Sequence, residues 1–238
     1  MILHPGGTEL TEEAARAAGF REGDRVLDLG CGDGTAMKFL AERLGLVMSG
    51  CDRSKKMVAL AKSEGLDVIE TDGLEIDLPS LSLDGVIAEC SLSLMDRHGE
   101  LFHEVYCLLK KGARLVITDL YDRMPDKERV EKNRLDALKY LNTRREEGSC
   151  GDVSAPSPIR LDGLFIADEL IRMLEETGFT VLRFSDRTKL LHDFGAQILM
   201  DFGSFESYAA SLPDGAECFC SGVPGKNAGY FMLVAKKD

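Results

Sequence analysis

The fold of this chain is decided by the sequence VLDLGCGDGTAMKFLAERL, which occupies residues 26–44. Its first four residues are mainly apolar and predict a short buried strand. Glycines follow at positions 30, 32 and 34, and the residues after them place apolar side chains at helical spacing. The stretch therefore predicts a strand, a glycine turn and a helix. Such a turn lets a ligand approach the main chain closely.

Asp28 discriminates between the nucleotide-containing ligands that bind at glycine turns. A dinucleotide pyrophosphate is bound by main-chain N–H groups and the positive end of a helix, and a nearby carboxylate repels it. Asp28 instead favours a ligand with positive charge, such as S-adenosylmethionine, which has an ammonium group and a sulfonium. The glycine spacing is also Gly-x-Gly-x-Gly, whereas dinucleotide-binding turns have Gly-x-Gly-x-x-Gly.

Three segments make the sequence resemble the class I S-adenosylmethionine-dependent methyltransferases, in particular the methyltransferase type 11 branch. They are VLDLGCGDG at 26–34, GCDRSKKM at 50–57 and LLKKGARLVI at 108–117. The resemblance implies S-adenosyl-L-methionine as the cofactor. It also implies an α/β fold, namely a Rossmann-like doubly wound, mostly parallel seven-stranded sheet with helices on both faces and a helical lid insertion.

Composition limits the partners and the compartment. The 238 residues carry a net charge of −12, which argues against nucleic-acid or anionic-membrane partners because these need clustered Lys and Arg. No apolar run is long enough to cross a bilayer, and the first residues lack a basic segment followed by an apolar one. The seven cysteines, an odd number, argue against a disulfide framework. We therefore expect a cytoplasmic protein.

The remaining pattern predicts one domain over residues 1–238. It has an N-terminal helical segment at 1–20, with Thr11 as the helix N-cap, and substrate-side insertions at 121–165 and 186–228. Further strands are predicted at 46–51, 67–71, 85–89, 113–120, 179–185 and 230–235, and further helices at 54–64, 99–109, 125–147, 167–177 and within 189–211.

Asp52 is the second acidic residue of the predicted site. It ends the second strand, 24 residues after Asp28, where a carboxylate accepts hydrogens from both ribose hydroxyls. The alternative is that Asp52 caps the following helix. Ser54 is the better candidate for that cap, so the ribose role is favoured.

The resemblance assigns further cofactor contacts along the carboxyl edge of the sheet. It places Arg53 and Met57 beside the adenosine, although Met57 also suits the core. It places Asp72 and Gly73 against the adenine, although Asp-Gly is also an ordinary turn signal. It lets Glu89 face both the sulfonium and the substrate. The complete predicted set is Asp28, Gly30, Cys31, Gly32, Asp52, Arg53, Met57, Asp72, Gly73 and Glu89.

The predicted reaction is an in-line displacement of the methyl group by a nucleophile of a small-molecule substrate. Positioning and desolvation suffice for most of the rate, so a general base is optional and no catalytic residue is nominated. His192, Tyr121 and Tyr208 are polar residues of the variable half that could contact substrate, but core or surface roles are favoured for each.

The thiols outside the core form a separate hypothesis. Cys90, Cys150, Cys218 and Cys220 could converge over the pocket and bind a soft acceptor such as trivalent arsenic, as cysteines do in arsenite methyltransferases of this broad family. Unrelated thiols are the favoured alternative, and no metal site is predicted.

Two rival functions remain open from the sequence. One is an NAD(P)-dependent reductase of Rossmann type, and the other is a non-enzymatic S-adenosylmethionine-binding protein. The oligomeric state also remains open.

Overall fold

The computed structural model describes residues 4–147, 157–212 and 227–238. The helices in these ranges are α1 (Gly7–Ala18), α2 (Thr35–Leu44), α3 (Lys55–Ser63), α4 (His98–Leu108), α5 (Lys127–Glu147), α6 (Ala167–Thr177), α7 (Thr188–Phe202) and α8 (Phe205–Ser211). The strands are β1 (Arg25–Leu29), β2 (Val47–Asp52), β3 (Val68–Glu70), β4 (Leu83–Glu89), β5 (Leu109–Asp122), β6 (Arg160–Leu161), β7 (Leu164–Phe165), β8 (Phe179–Asp186) and β9 (Ala228–Lys237).

The strands form one mostly parallel sheet. β3, β2, β1, β4 and β5 lie side by side in that order and run parallel, while β9 pairs antiparallel with β5 and β8 pairs antiparallel with β9. These seven strands confirm the predicted Rossmann-like, doubly wound α/β fold. Two short strands extend the sheet to nine among the described residues, because β7 pairs with the end of β5 and with β6. Each has two residues, too few for a recognisable sequence pattern.

Helices cover both faces of the sheet. Alternate side chains of a strand point to opposite faces, so Leu27 and Ile117 pack with α4 and α6, whereas Val26 and Val116 pack with α1 and α2. Both faces are therefore buried, which explains why the central strands are nearly continuous apolar runs. No helix of the described ranges has the length and apolar character needed to cross a membrane.

The start of α1 differs from the sequence prediction. The helix begins at Gly7 after Gly6, which has a φ of 80° at the N-cap, and ends at Ala18 before Gly19. Thr11 is therefore not the N-cap. It lies inside the helix, 1% exposed, and its hydroxyl donates a hydrogen bond to Glu89. A tertiary partner, rather than the helix terminus, satisfies this hydroxyl.

The other helices follow the predictions closely, with two differences. α6 has the predicted bounds, and Ser54 caps α3 by accepting a hydrogen bond from the main-chain N–H of Met57. The predicted helical stretch at 189–211 is divided at Gly203, which has a φ of 76°, into α7 and α8. The helix predicted at 125–147 begins at Lys127, and its residues Leu135 and Leu138 are exposed.

Gly85 on β4 gives a test of how tightly the central sheet packs. A Cβ atom there would lie 2.2 Å from Cε1 of Phe20. We expect Gly85→Ala to lower the free energy of unfolding by about 1–3 kcal/mol through overpacking, as measured by urea denaturation. The control is Gly99→Ala in α4, where a Cβ meets nothing within 4 Å. This variant should be neutral or more stable by up to about 1 kcal/mol. Equal destabilisation by both changes would contradict the packing argument.

Candidate active site

The glycine turn between β1 and α2 is tied to the neighbouring strand β2. The main-chain N–H groups of Gly30 and Cys31 both donate to the carbonyl of Cys51, at 2.8 and 3.0 Å. Gly30 has a φ of 84°, and a Cβ atom on it would lie 2.4 Å from Cβ of Ser91. Position 30 therefore requires glycine for its backbone conformation and for its packing.

Asp52 stands at the end of β2 and holds the turn from the other side. One carboxylate oxygen accepts the N–H of Gly32 at 2.9 Å, and the other accepts the N–H of Ser54 at 2.8 Å. Each oxygen keeps a further lone pair for a ligand. A Cβ atom at Gly32 would meet nothing within 4 Å, so the main chain there borders open space. The structure thus brings Asp52 and the glycine turn together beside that space.

Asp28 and Glu89 lie on adjacent strands of the sheet. Asp28 is in register with Ile87 of β4, and Glu89 lies two residues nearer the carboxyl end of that strand. Asp28 is 4% exposed. Burial raises its pKa well above the usual value, and the negative charges of Glu89, Asp52 and Asp33 raise it further. This concentration of buried acidic groups favours a bound cation.

Glu89 has one oxygen engaged and one unengaged. Its side chain is 5% exposed, and Oε2 accepts a hydrogen bond of 2.9 Å from the Thr11 hydroxyl and lies 3.9 Å from Nε2 of His4. Oε1 is buried without a hydrogen-bond partner among the described residues. Burial raises the pKa of Glu89, partly offset by His4 and Thr11. A buried acceptor without a donor is unfavourable, so this oxygen fits a ligand that supplies one.

A second polar group follows Glu89 directly. Cys90 has a φ of 52°, and its thiol lies 2.9 Å from the Tyr230 hydroxyl, which in turn lies 3.1 Å from Oγ1 of Thr118. Burial and the neighbouring Cys90 raise the pKa of Tyr230 well above its usual value. Tyr230 and Thr118 could not be predicted from the sequence, where their only signal is a polar atom within otherwise apolar strands.

Most of the cysteines in the thiol hypothesis lie outside the described residues. Cys150, Cys218 and Cys220 lie outside the described residues, so the arsenic hypothesis keeps only Cys90 as a located member. Within the described ranges, no three His, Cys, Asp or Glu side chains are arranged to hold a metal ion.

The other predicted cofactor contacts lie around the same edge. Arg53 is exposed just beyond β2, and Met57 is buried in α3. Asp72 is exposed and accepts the N–H of Leu74 at 3.1 Å, while Gly73 beside it is buried with a φ of 89°. Cys31 points under the turn, since a Cβ at Gly50 would lie 2.8 Å from its sulfur. Only its main chain can therefore face a ligand.

The three candidate substrate contacts of the variable half occupy core or surface positions. His192 is exposed on α7. Tyr121 donates to Asp186 at 2.9 Å, and its ring packs edge-on against Phe184 and Phe231. Tyr208 is 2% exposed and packs between α7 and α8.

A buried polar network fixes the loop that follows β4. Asp119 of β5 is 0% exposed and accepts the N–H of Ser93 at 2.9 Å, and burial raises its pKa to about 6. Arg160 of β6 donates to the carbonyl of Ser93 and pairs with Asp96. His98 at the start of α4 lies 2.9 Å from the carbonyl of Leu92. The network was missed because its members are far apart in sequence.

Comparison with known proteins identifies relatives in sequence and in fold. A family model described as a methyltransferase domain matches residues 27–117. Methyltransferase GfsG of Streptomyces halstedii is 26% identical over 208 residues, covering 84% of this chain and 68% of that protein. The fold matches the [4+2]-cyclase SpnF, with 22% identity, a TM-score of 0.67, and coverage of 97% of this chain and 81% of that one.

A second solved structure is phosphoethanolamine N-methyltransferase 2 of Haemonchus contortus, in complex with phosphomonomethylethanolamine and S-adenosylhomocysteine. Identity is 19% and the TM-score is 0.68, over 98% of this chain and 53% of that chain. The two structural matches establish a common fold.

His98 predicts a pH dependence of stability. Burial lowers its pKa to about 4, whereas an unfolded histidine titrates near 6.5. As the pH falls from about 6.5 to about 4, only the unfolded state takes up this proton. The free energy of unfolding therefore falls by up to about 3 kcal/mol. Asp119 has the opposite effect on the free energy of unfolding. Because its pKa is raised, the folded state takes up the Asp119 proton before the unfolded state as the pH falls, which favours the folded state over part of the same range.

We therefore expect His98→Gln to flatten the His98 part of this pH dependence, as measured by urea denaturation from pH 4 to 8. The amide nitrogen of glutamine keeps a donor for the Leu92 carbonyl. The packing loss of the substitution is measured at pH 8, where histidine is neutral in both states, and is subtracted. Parallel stability curves for the wild type and the variant would contradict the prediction.

Proposed function

We propose that this chain methylates a small molecule bound beside Glu89 and Cys90. The chain belongs to the class I S-adenosylmethionine-dependent methyltransferases and is an enzyme that uses S-adenosyl-L-methionine. The observation that carries the proposal is the pair of buried carboxylates, Asp28 and Glu89, next to the glycine turn. Two buried acidic side chains suit the positive charges of this cofactor and oppose the pyrophosphate of a nicotinamide dinucleotide.

The described residues fit the cofactor group by group. Asp28 would attract the ammonium group, and the main chain of Gly30, Cys31 and Gly32 would lie along the methionine part. Asp52 would accept hydrogens from the ribose hydroxyls with the lone pairs that Gly32 and Ser54 leave unused.

The adenosine contacts complete the proposed set. Arg53 and Met57 would border the adenosine, and Asp72 with Gly73 would meet the adenine edge. These four residues follow the ends of β2 and β3, which are parallel neighbours with their carboxyl ends at the same edge of the sheet. Ligands of open α/β sheets bind at that edge.

The chain contributes position and a low-water environment. When bound, S-adenosyl-L-methionine supplies a methyl group on a sulfonium, which an acceptor lone pair can displace. The Thr11 hydroxyl fixes Glu89, and the Tyr230 hydroxyl fixes the thiol of Cys90, so both side chains keep one orientation. Fixed groups at a buried site reduce the entropy that the reaction loses on reaching its transition state.

A small-molecule acceptor is supported by the charge of the chain. The net charge of −12 disfavours nucleic acid and anionic membrane surfaces. We propose that residues 1–238 act as one methyltransferase domain in which the segment 1–20 and the insertions 121–165 and 186–228 line the substrate side. The cysteine content supports a cytoplasmic location for this activity.

The function is tested by mixing purified protein and S-adenosyl-L-methionine with small thiols, amines, hydroxyl compounds and metalloids, and by measuring S-adenosylhomocysteine release and product mass. Methylation of one class with saturation kinetics supports the proposal. Cofactor binding by calorimetry without turnover of any class would instead support a non-enzymatic binding protein.

Asp52 gives the first binding prediction. We expect Asp52→Ala to weaken S-adenosyl-L-methionine binding by about tenfold or more, because charge-assisted hydrogen bonds contribute about 1.5–3 kcal/mol each. Asp52→Asn should bind with intermediate affinity, since its amide retains a single acceptor oxygen. Calorimetry measures both, with the exposed Asp77→Ala as a control. Unchanged affinity of Asp52→Ala would remove this residue from the site.

Asp28 gives the second binding prediction. We expect Asp28→Asn to weaken binding of S-adenosyl-L-methionine more than binding of a deaminated analogue, because only the former has the ammonium group that the carboxylate attracts. The comparison uses the same protein preparation in calorimetry at one ionic strength. Equal losses for the two ligands would indicate that Asp28 has a structural role only.

A further inference from the structure

We propose that the acceptor is an amine and that Oε1 of Glu89 is the catalytic base that receives the proton from the acceptor nitrogen. The inference rests on the proposed function and adds both a substrate class and a catalytic residue to it. It is carried by a geometric asymmetry in one side chain, whose Oε2 is engaged by Thr11 while Oε1 is buried without a partner among the described residues.

The asymmetry is what a general base requires. The 2.9 Å hydrogen bond from Thr11 fixes the carboxylate, so the opposite oxygen has a defined position. The side chain is 5% exposed, so Oε1 is largely shielded from solvent. A fixed base beside the reacting atom contributes about 100-fold to 10,000-fold in rate. Burial also raises the pKa of Glu89, which brings the carboxylate nearer to the strength needed at neutral pH.

The ionisable groups around Glu89 come from four elements or segments. Asp28 lies on β1, His4 precedes α1, Tyr230 is on β9, and Cys90 follows Glu89 itself. His4 is the potential cation of this set, and its Nε2 lies 3.9 Å from the engaged oxygen, Oε2. His4 therefore contacts the same oxygen that Thr11 engages, and Oε1 has no hydrogen-bond partner among the described residues.

This environment selects an amine over a hydroxyl acceptor. An amine arrives as an ammonium ion, which Asp28 and Glu89 attract, and becomes a neutral nucleophile when it loses a proton. A hydroxyl acceptor that gave its proton to Glu89 would become an anion near the carboxylate of Asp28, and like charges oppose that ionisation. The same field favours the methylated ammonium product.

The proposed step balances in protons and electrons. The acceptor ammonium transfers one proton to Oε1 of Glu89, and its N–H bonding pair becomes the nitrogen lone pair. That pair forms the new bond from nitrogen to the methyl carbon as the carbon–sulfur bond breaks. The carbon–sulfur pair returns to sulfur, which becomes a neutral thioether. Glu89 then loses its proton to water when the product leaves.

The first experiment compares acceptors that differ only in the nucleophilic atom. Matched aliphatic amines, alcohols and thiols are incubated with the wild-type chain and S-adenosyl-L-methionine, and products are identified by mass. We expect methylation of amines. Methylation of alcohols or thiols alone would overturn the inference and leave the proposed function standing. Failure of the wild type to bind S-adenosyl-L-methionine would overturn the proposed function itself.

The second experiment uses Glu89→Gln, which keeps the side-chain shape and an acceptor for Thr11. We expect kcat with the amine to fall by about 100-fold or more, a much larger factor than any change in the Kd for S-adenosyl-L-methionine. The wild-type rate should rise with pH through the ionisation of Glu89, and the variant should lose that limb. The control is Glu100→Gln, an exposed residue of α4 paired with Arg97, which should behave as the wild type.

A readout without turnover completes the test. In the complex with S-adenosylhomocysteine, the infrared band of a protonated carboxyl should titrate in the wild type and be missing from Glu89→Gln. Addition of the amine should increase this band in the wild type, because the proton moves to Glu89. Weaker cofactor binding by Glu89→Gln, with unchanged kcat and no change in the band, would assign Glu89 to the cofactor and overturn its role as a base.

Discussion

The structure of the site depends on the hydrogen bonds that fasten the glycine turn to the end of β2. The carbonyl of Cys51 receives the N–H groups of Gly30 and Cys31, and Asp52 receives that of Gly32. Main-chain donors make all three contacts, and a Cβ atom at Gly32 would meet nothing within 4 Å, so a ligand can approach the main chain there. The same contacts fix Asp52 relative to β1, which makes the proposed ribose position a consequence of sheet geometry.

Fastening the turn in this way also gathers negative charge in a place with little water. Burial is the largest cause of the raised pKa of Asp28, and the negative charges of Glu89, Asp52 and Asp33 raise it further. Such an arrangement is unfavourable for the folded chain alone. A cation that binds only the folded state offsets it and stabilises the fold by mass action. In the proposed site, the charge that weakens the ligand-free protein is thus the source of affinity for a cationic cofactor.

The sequence predicted the parts of this site that depend on local pattern. The strand, the turn and the helix at 26–44 follow from periodicity and glycine spacing, and Asp52 follows from the length of one β–α–β unit. Three features do not follow from local pattern, because each depends on a partner distant in the chain. They are the unengaged oxygen of Glu89, the Tyr230 hydroxyl and the contacts of Arg160. The short strands β6 and β7 were missed for the same reason, since tertiary pairing alone defines them.

The prediction of Thr11 as a helix N-cap was wrong, and this failure of a local rule lies beside Glu89 at the end of β4. A threonine in a helix interior is a weak helix former, and its hydroxyl needs a partner when it is buried. Here Glu89 is that partner, at 2.9 Å, so α1 is joined to the end of β4 by a polar contact within an apolar face. Local rules are expected to fail at functional positions, where residues serve tertiary contacts. The N-terminal helix therefore contacts the candidate site through Thr11, whose hydrogen bond orients Glu89.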